Sequence, residues 1–276
     1  MTVLGVDIGG TKIAAGRVNA LAEVSGFRST PTLASRGFET SLSQVWRAVE
    51  AGLMPDVEAI GICAPGPLDA ATGIVLNPPN LPGWHEVPLA KLAEEKFHLP
   101  VNVENDCNAA GLAEALHGAG RGYPNVFYAA IGTGIGSGIV LDGKIFHGAH
   151  GAAAEAGHMT VDYRSSILCG CGASGCIEAL ASGRVFDDAG DEDLDELAGR
   201  LGAWLGAVIS LLDPGVIVLG GGVAQIGEAL FGRLRAAVPR WTVNPYAGHI
   251  PIIPAQFGSE SGIIGAAAVV RTGRAS

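Results

Sequence analysis

Two stretches of this chain are built alike, and that likeness limits the folds open to it. Residues 3–6 are apolar and run into Asp7-Ile8-Gly9-Gly10-Thr11-Lys12, after which residues 13–18 are apolar again. Residues 125–131 are strongly apolar and run into Gly132-Thr133-Gly134-Ile135-Gly136-Ser137-Gly138. A strand over 139–141, a turn at Asp142-Gly143 and a further strand over 144–146 follow. Each stretch reads as strand, glycine turn, strand: a β-hairpin whose turn can lie against an anion. Taken alone, the first is most simply a hairpin turn. It is not a Walker A loop, because the glycine spacing and the following helix are absent. Two such hairpins, one opening each half, point to two similar domains facing each other, each offering its hairpin to the phosphates of a nucleotide.

Composition agrees with an α/β architecture rich in tight turns. Glycine accounts for 42 of 276 residues, about twice the usual share. No collagen-like period and no long polar tract accompanies it. Between the hairpins, residues 22–29 read as a strand extending the first sheet. Residues 39–52 read as a helix with Leu42, Val45, Trp46 and Val49 on its core face. A strand over 57–62 ends at Ala64-Pro65-Gly66-Pro67, and a Gly-Pro loop there exposes backbone to a ligand. Residues 77–84 are too proline-rich for helix or central strand and read as a surface loop. A short helix over 88–97 and a strand over 100–104 lead to Asn105-Asp106, followed by a helix over 107–116. At such a junction Asp106 is most simply a helix N-cap.

Residues 187–196 are acidic and read as a solvated helix start. Leu194, Leu197, Leu201, Trp204, Leu205, Val208 and Leu212 form a helical core stripe. A strand over 216–219 leads through Gly220-Gly221-Gly222 to a helix over 225–238, which puts backbone N–H groups near a helix start, suited to phosphate or ribose. A last strand spans 250–254 and a small-residue helix 261–270.

The net charge is −10. Without a basic stripe, the chain is a poor partner for nucleic acid or an anionic membrane. No apolar run reaches the ~18 residues of a membrane span, and no secretory leader is apparent. Five cysteines, three of them in a metal pattern, fit a reducing cytoplasm better than a disulfide framework.

The densest chemistry lies at Glu155-Ala156-Gly157-His158 and Cys169-Gly170-Cys171-Gly172-Ala173-Ser174-Gly175-Cys176-Ile177-Glu178. Three thiolates and one imidazole, from Cys169, Cys171, Cys176 and His158, are a structural zinc set. The alternative, three ordinary buried thiols, fits poorly with a spacer of Gly, Ser and Ala. Zinc does not need Glu155 or Glu178; carboxylates held beside a rigid metal loop can accept hydrogen bonds from a polyol.

Glu-x-Gly-His followed by Cys-x-Cys-Gly-x-x-Gly-Cys-x-Glu resembles the signature of the ROK family of repressors, open reading frames and sugar kinases. Matching pieces recur from Asp7 to Gly222. The resemblance implies an α/β fold of two actin-like (ribonuclease H-like) domains flanking a nucleotide and sugar cleft. The expected division is a small N-terminal domain over residues 1–106, with the C-terminal helix 261–276 packing back on it, and a large domain over 107–260 carrying the zinc loop.

The implied activity is an ATP-dependent hexose kinase acting on the 6-hydroxyl of glucose, with Mg²⁺ near Asp7. An N-acetylglucosamine or N-acetylmannosamine kinase is the alternative. Asp106 of the Asn-Asp pair is then the base that accepts the sugar proton, and Gly66, Asn80, Asn105, Asp106, Glu155, His158 and Glu178 meet the sugar. Gly9, Gly10, Thr11, Lys12, Gly132, Thr133, Gly134, Gly136, Gly220, Gly221 and Gly222 meet the nucleotide. A homodimer or homotetramer is expected.

One departure stands out. The family usually places extra helices after the Ser-Gly that follows the zinc loop, walling the adenine side; here they are nearly absent, which leaves polyphosphate open as an alternative donor. A sugar-responsive repressor would carry a DNA-binding segment ahead of the first strand, where Asp7 leaves no room. A sugar-binding protein without catalysis is a third class.

Overall fold

Alternation of apolar residues over short runs, closed by glycine turns, produces two five-stranded sheets with one connection pattern. The structure is a computed structural model that describes residues 1–185 and 191–273, the side chains of Asp191 and Glu192 excepted. Most of the acidic stretch before residue 191 and the end of the expected C-terminal helix, 274–276, therefore lie outside the described residues. The chain divides into two compact units. The first comprises Met1–Ala113, His147–Gly151 and Ser259–Ser276; the second comprises Glu114–Phe146 and Ala152–Gly258.

In the first unit β1 (Thr2–Ile8), β2 (Lys12–Val18) and β3 (Val24–Pro31) form an antiparallel meander. β4 (Val57–Ala64) joins β1 in parallel, and β7 (Val101–Asn105) joins β4 in parallel, giving the order β3-β2-β1-β4-β7. A small ribbon of β5 (Leu68–Asp69) and β6 (Ile74–Val75) follows β4. Leu4, Val6, Ile8, Ile60 and Ile62 pack on one face with residues of α1 (Phe38–Gly52) and α2 (Leu89–Phe97). Trp46, expected in the core, is only partly buried and meets Phe97 edge-on at 5.6 Å.

The other face receives α7 (Ser261–Thr272) and α3 (Asp106–His117). Gly5 and Gly61 are register partners on β1 and β4. A Cβ on Gly5 would stand 2.2 Å from the Ile263 carbonyl oxygen, and one on Gly61 2.0 Å from that of Ala266. Two glycines side by side thus let the α7 backbone lie directly on the sheet.

The second unit repeats the pattern. β8 (Asn125–Ile131), β9 (Ile135–Leu141) and β10 (Lys144–Ile145) are antiparallel. β11 (Val216–Gly220) pairs in parallel with β8, and β12 (Ile252–Pro254) with β11, giving β10-β9-β8-β11-β12. α4 (Ile177–Ala181), α5 (Asp191–Leu212) and α6 (Glu228–Ala237) complete the unit. The predicted stripe on α5 is the core: Leu194, Leu197, Leu201, Trp204, Leu205 and Val208 are buried and Leu212 packs against them. Asp193, Asp195 and Glu196 of its first turns are exposed, as expected for a solvated start. Among the described residues no helix is long and apolar enough to cross a membrane.

Candidate active site and metal-binding loop

The parallel strand ends of the first unit gather one group of predicted residues. Asp7, Cys63 and Glu104 stand in one row across β1, β4 and β7, and the next position pairs Ala64 with Asn105. Read alone, the junction makes Asp106 most simply a helix cap; the structure gives that role to Asn105. Asn105 Oδ1 accepts the N–H groups of Cys107 at 2.9 Å and Asn108 at 3.1 Å. Asp106 is the first helical residue, and its Oδ1 accepts the Cys107 N–H at 2.8 Å. The shift frees Asp106 from the single role of cap and leaves an oriented carboxylate where strand becomes helix. A Cβ on Gly66 would lie 3.3 Å from Asn105 Nδ2, so the Gly-Pro loop and the Asn-Asp pair adjoin.

Asp7 is held in a dry setting. Burial raises its pKa, while the Cys63 thiol and the charge of Lys12 oppose the rise. The Cys63 thiol donates to Asp7 Oδ1 at 3.4 Å and also lies 3.4 Å from the Gly262 carbonyl. Burial first, then the Asp7 and Asp106 charges, pushes the Cys63 pKa well up, which keeps it a donor. A desolvated carboxylate of this kind fits a divalent cation, whose charge would offset the cost of burial.

The first hairpin tip differs from expectation in one respect. Gly9 N–H donates to Lys12 O at 2.9 Å, and Gly9 O accepts the Thr32 hydroxyl at 2.6 Å. Gly9 is therefore consumed in closing the turn, leaving Gly10, Thr11 and Lys12 at its tip. A Cβ on Gly10 would stand 3.0 Å from the Asn80 carbonyl, so the exposed Asn80 adjoins that tip. The loop holding Asn80 is not wholly on the surface: Trp84 is fully buried and donates its indole N–H to Ser41 Oγ at 2.8 Å.

In the second unit, the predicted loop Gly132–Gly138 is shorter than the sequence suggests. β9 begins at Ile135, and Gly136 pairs with Ala130 inside the ladder. Gly132, Thr133 and Gly134 alone form the turn, closed by Gly132 N–H to Gly134 O at 2.9 Å. Gly220 ends β11, and Gly221 has φ +83°. The helix expected from residue 225 does not follow directly. A 3₁₀ turn, Val223–Ile226, intervenes, and α6 starts only after Gly227. Gly220–Gly222 thus face a short turn rather than an α-helix start.

The metal residues converge. One donor atom each from His158, Cys169, Cys171 and Cys176 lies within 4.8 Å of the others. Cys169 Sγ is 3.5 Å from His158 Nδ1, and Cys171 Sγ is 3.7 Å from Cys176 Sγ. Tetrahedral zinc with Zn–S about 2.3 Å and Zn–N about 2.0 Å sets its donors about 3.5–3.8 Å apart, so the cluster fits that ion. Cys176 is buried and its thiol pKa is pushed up to about 12, by burial and then by the other two thiols. Burial also raises Cys169, whereas the backbone N–H of Ala173 lowers the exposed Cys171. Three thiols with these tendencies become thiolates together when a divalent cation compensates their charge.

The loop is moored to the second hairpin in two places. A Cβ on Gly157 would meet the Ile135 carbonyl at 1.8 Å, so only glycine fits there. Glu178 Oε2 accepts the Ile135 N–H at 2.9 Å, and its Oε1 lies 3.5 Å from Cys169 Sγ. The sequence offered Glu178 only as a sugar ligand; this brace went unseen. His158 turns Nδ1 to the thiols and Nε2 outward, 4.0 Å from the exposed Glu155 carboxylate.

Sequence reasoning also missed Glu104 and His147. His147 Nε2 lies 2.7 Å from Glu104 Oε2, and the hydrogen bond it donates to Glu104 raises the His147 pKa.

Comparison with known proteins identifies the family. The model of the ROK family matches residues 3–200 and 187–273. A glucokinase of Streptomyces coelicolor is 34% identical over 314 aligned positions, covering 97% of each chain. An N-acetylmannosamine kinase of Shigella flexneri is 32% identical, again covering 97% of each. The crystal structure of a ROK family glucokinase from Streptomyces griseus, in complex with glucose and AMPPNP, superposes with TM-score 0.86 at 34% identity, over 99% of this chain and all of that one.

Proposed function

The chain belongs to the ROK family of sugar kinases, with its actin-like α/β fold, and from that premise we propose that it is a cytoplasmic, ATP-dependent hexose kinase acting on the 6-hydroxyl of glucose. The observation that carries the reading is Asp106: a carboxylate at the end of β7, oriented by the Cys107 N–H, with the helix cap supplied by its neighbour. In the proposed step Asp106 accepts the proton of the primary alcohol as that oxygen attacks the γ-phosphorus. Proton transfer and orientation of this kind contribute about 10²–10⁴-fold. The rest comes from positioning and from donors around the transferred phosphoryl group.

Gly66, Asn80 and Asn105 of the first unit, with Glu155, His158 and Glu178 of the second, are assigned to the sugar. Gly10, Thr11 and Lys12, and Gly132, Thr133 and Gly134, are assigned to the phosphates, and Gly220–Gly222 to the nucleoside. Mg²⁺ carried with ATP would be held near Asp7, where it supplies neutralisation of phosphate charge. Zinc, held by His158, Cys169, Cys171 and Cys176, fixes the imidazole so that Nε2 faces the substrate. All four positions come from protein, so no position is left for a reactive water. The enzyme is expected to assemble as a homodimer or homotetramer.

The N-acetylmannosamine kinase at 32% identity supports a second reading of the same site, in which the sugar bears an N-acetyl group. A coupled assay for ADP release decides between them, run with Mg-ATP against glucose, mannose, fructose, N-acetylglucosamine and N-acetylmannosamine. A dominant preference for glucose is expected. Preference for an N-acetylated sugar would replace the first reading with the second. No turnover with ATP, but turnover with polyphosphate, would move the donor assignment.

A further inference from the structure

We propose that His147 is a positioning residue for the Asn105–Asp106 pair, acting through the buried carboxylate of Glu104; this rests on the reading of Asp106 as the base. His147 follows β10 and opens the segment His147–Gly151, which belongs to the first unit although its flanks belong to the second. Its partner Glu104 is the penultimate residue of β7 and its side chain is only 3% exposed.

A carboxylate so buried requires donors on both oxygens. Oε1 accepts the Asn105 N–H at 2.8 Å and the Asn108 side-chain amide at 3.1 Å. Oε2 accepts His147 Nε2 at 2.7 Å. The groups on Oε1 are the backbone and the third helical residue of the turn that presents Asp106. Asn108 Oδ1 is buried with no hydrogen-bond partner, so that carboxamide is anchored at its other end, by Glu104. His147 therefore fixes one oxygen of Glu104, and Glu104 fixes the two residues on either side of Asp106–Cys107.

Loss of the imidazole leaves Oε2 buried without its donor. Glu104 must then rotate or admit water, and either change loosens its hold on Asn105 and Asn108. The Asn105 cap and the Asp106 carboxylate move with that turn. A displacement of about 1 Å in a reacting group can cost on the order of 10²-fold in rate, and a partial displacement less. Substrate binding depends on many other groups and should change little. His147 touches neither substrate nor the reacting atoms in this account; it acts through Glu104.

The test compares wild type with His147→Ala and His147→Gln, with Asp106→Asn as the reference for a lost base. His147→Asn, too short to reach Glu104, replaces the alanine variant if that does not fold. His147→Ala should lose about tenfold in kcat with KM for the preferred sugar within about twofold. His147→Gln, which can present a side-chain N–H to Oε2, should recover most of that loss. Hydrogen exchange supplies a readout independent of turnover. The Asn105, Cys107 and Asn108 amides should exchange faster in the alanine variant, with α1 unchanged. An alanine variant with wild-type kcat overturns the inference, and so do equal losses in the alanine and glutamine variants or unaltered exchange at those three amides. A wild type inactive on every sugar defeats the kinase reading instead, and the exchange data still decide the network.

Discussion

The two units share a sheet and differ in where their chemistry is built. Each has a hairpin, a third antiparallel strand, and two strands added in parallel. In the first unit the hairpin strand carries Asp7 one residue before its end, and the last parallel strand ends with Asn105, followed by Asp106. In the second, the matching positions are Ala130 before the turn, and Ala255 after β12. The strand ends that carry carboxylates in one unit carry small apolar residues in the other. The second unit instead places its polar groups on a loop of little regular structure, between β10 and α5, organised by four metal donors. Strand ends obtain rigidity from the ladder they terminate. A loop of Gly, Ser and Ala has no such source; Glu178 and the close packing of Gly157 brace it, and its four gathered donors could be crosslinked by a metal.

That contrast is sharpest at Asp106. Asp106→Asn preserves size and still accepts a hydrogen bond, but it cannot take a proton at neutral pH. Turnover should fall by about 10²–10⁴-fold, while glucose affinity measured by calorimetry stays within a few-fold of wild type. Near-normal turnover would remove Asp106 as the base and leave the first unit without its central reagent.

The second effect in size belongs to the other unit. Cys171→Ala removes the exposed member of the donor set, so it should cost metal more than folding. Zinc content should drop, and sugar affinity should fall with it by about 10–100-fold, the range for lost support around a metal-held group. Metal analysis and calorimetry on one sample check both. A folded, zinc-free variant that binds sugar normally would break the comparison, because it would show that the loop needs no metal to present His158 and Glu155.

What was legible in the sequence follows from how local each feature is. The strand Asn125–Ile131 and the α5 stripe were readable because a period of two or of 3.6 repeats along one segment. The metal cluster was readable because its donors and glycine spacers lie close together in the chain. Features decided by distant partners were not. Trp84 sits in a proline-rich run that reads as exposed, yet it is buried by α1, through a serine 43 positions away. Gly136 looks like a loop glycine, but the ladder with Ala130 claims it. Val223–Ile226 carries ordinary helix-forming residues, and only the positive φ of Gly227 separates it from α6. His147 has no motif around it, and its meaning lies in Glu104, again 43 positions away.

The smallest effect probes that pair by pH. The hydrogen bond to Glu104 raises the His147 pKa above its ordinary value, which is about 6.5. A group whose folded pKa is raised binds its proton more tightly in the folded state. Its contribution to stability is therefore full below about pH 6.5 and disappears as pH rises through the raised value. His147→Gln keeps a donor but does not titrate. The thermal midpoint of wild type minus that of His147→Gln should thus be larger at mildly acidic pH than at alkaline pH, measured by scanning fluorimetry across the range. Subtracting the variant cancels the other titrating groups, which are common to both proteins. A difference that stays flat, or grows with pH, would mean that the charge of His147 adds nothing to the strand-end network. The first unit would then hold its Asn-Asp pair through the Glu104 carboxylate without help from a charged imidazole, in contrast to the second unit's loop, where four candidate metal donors gather.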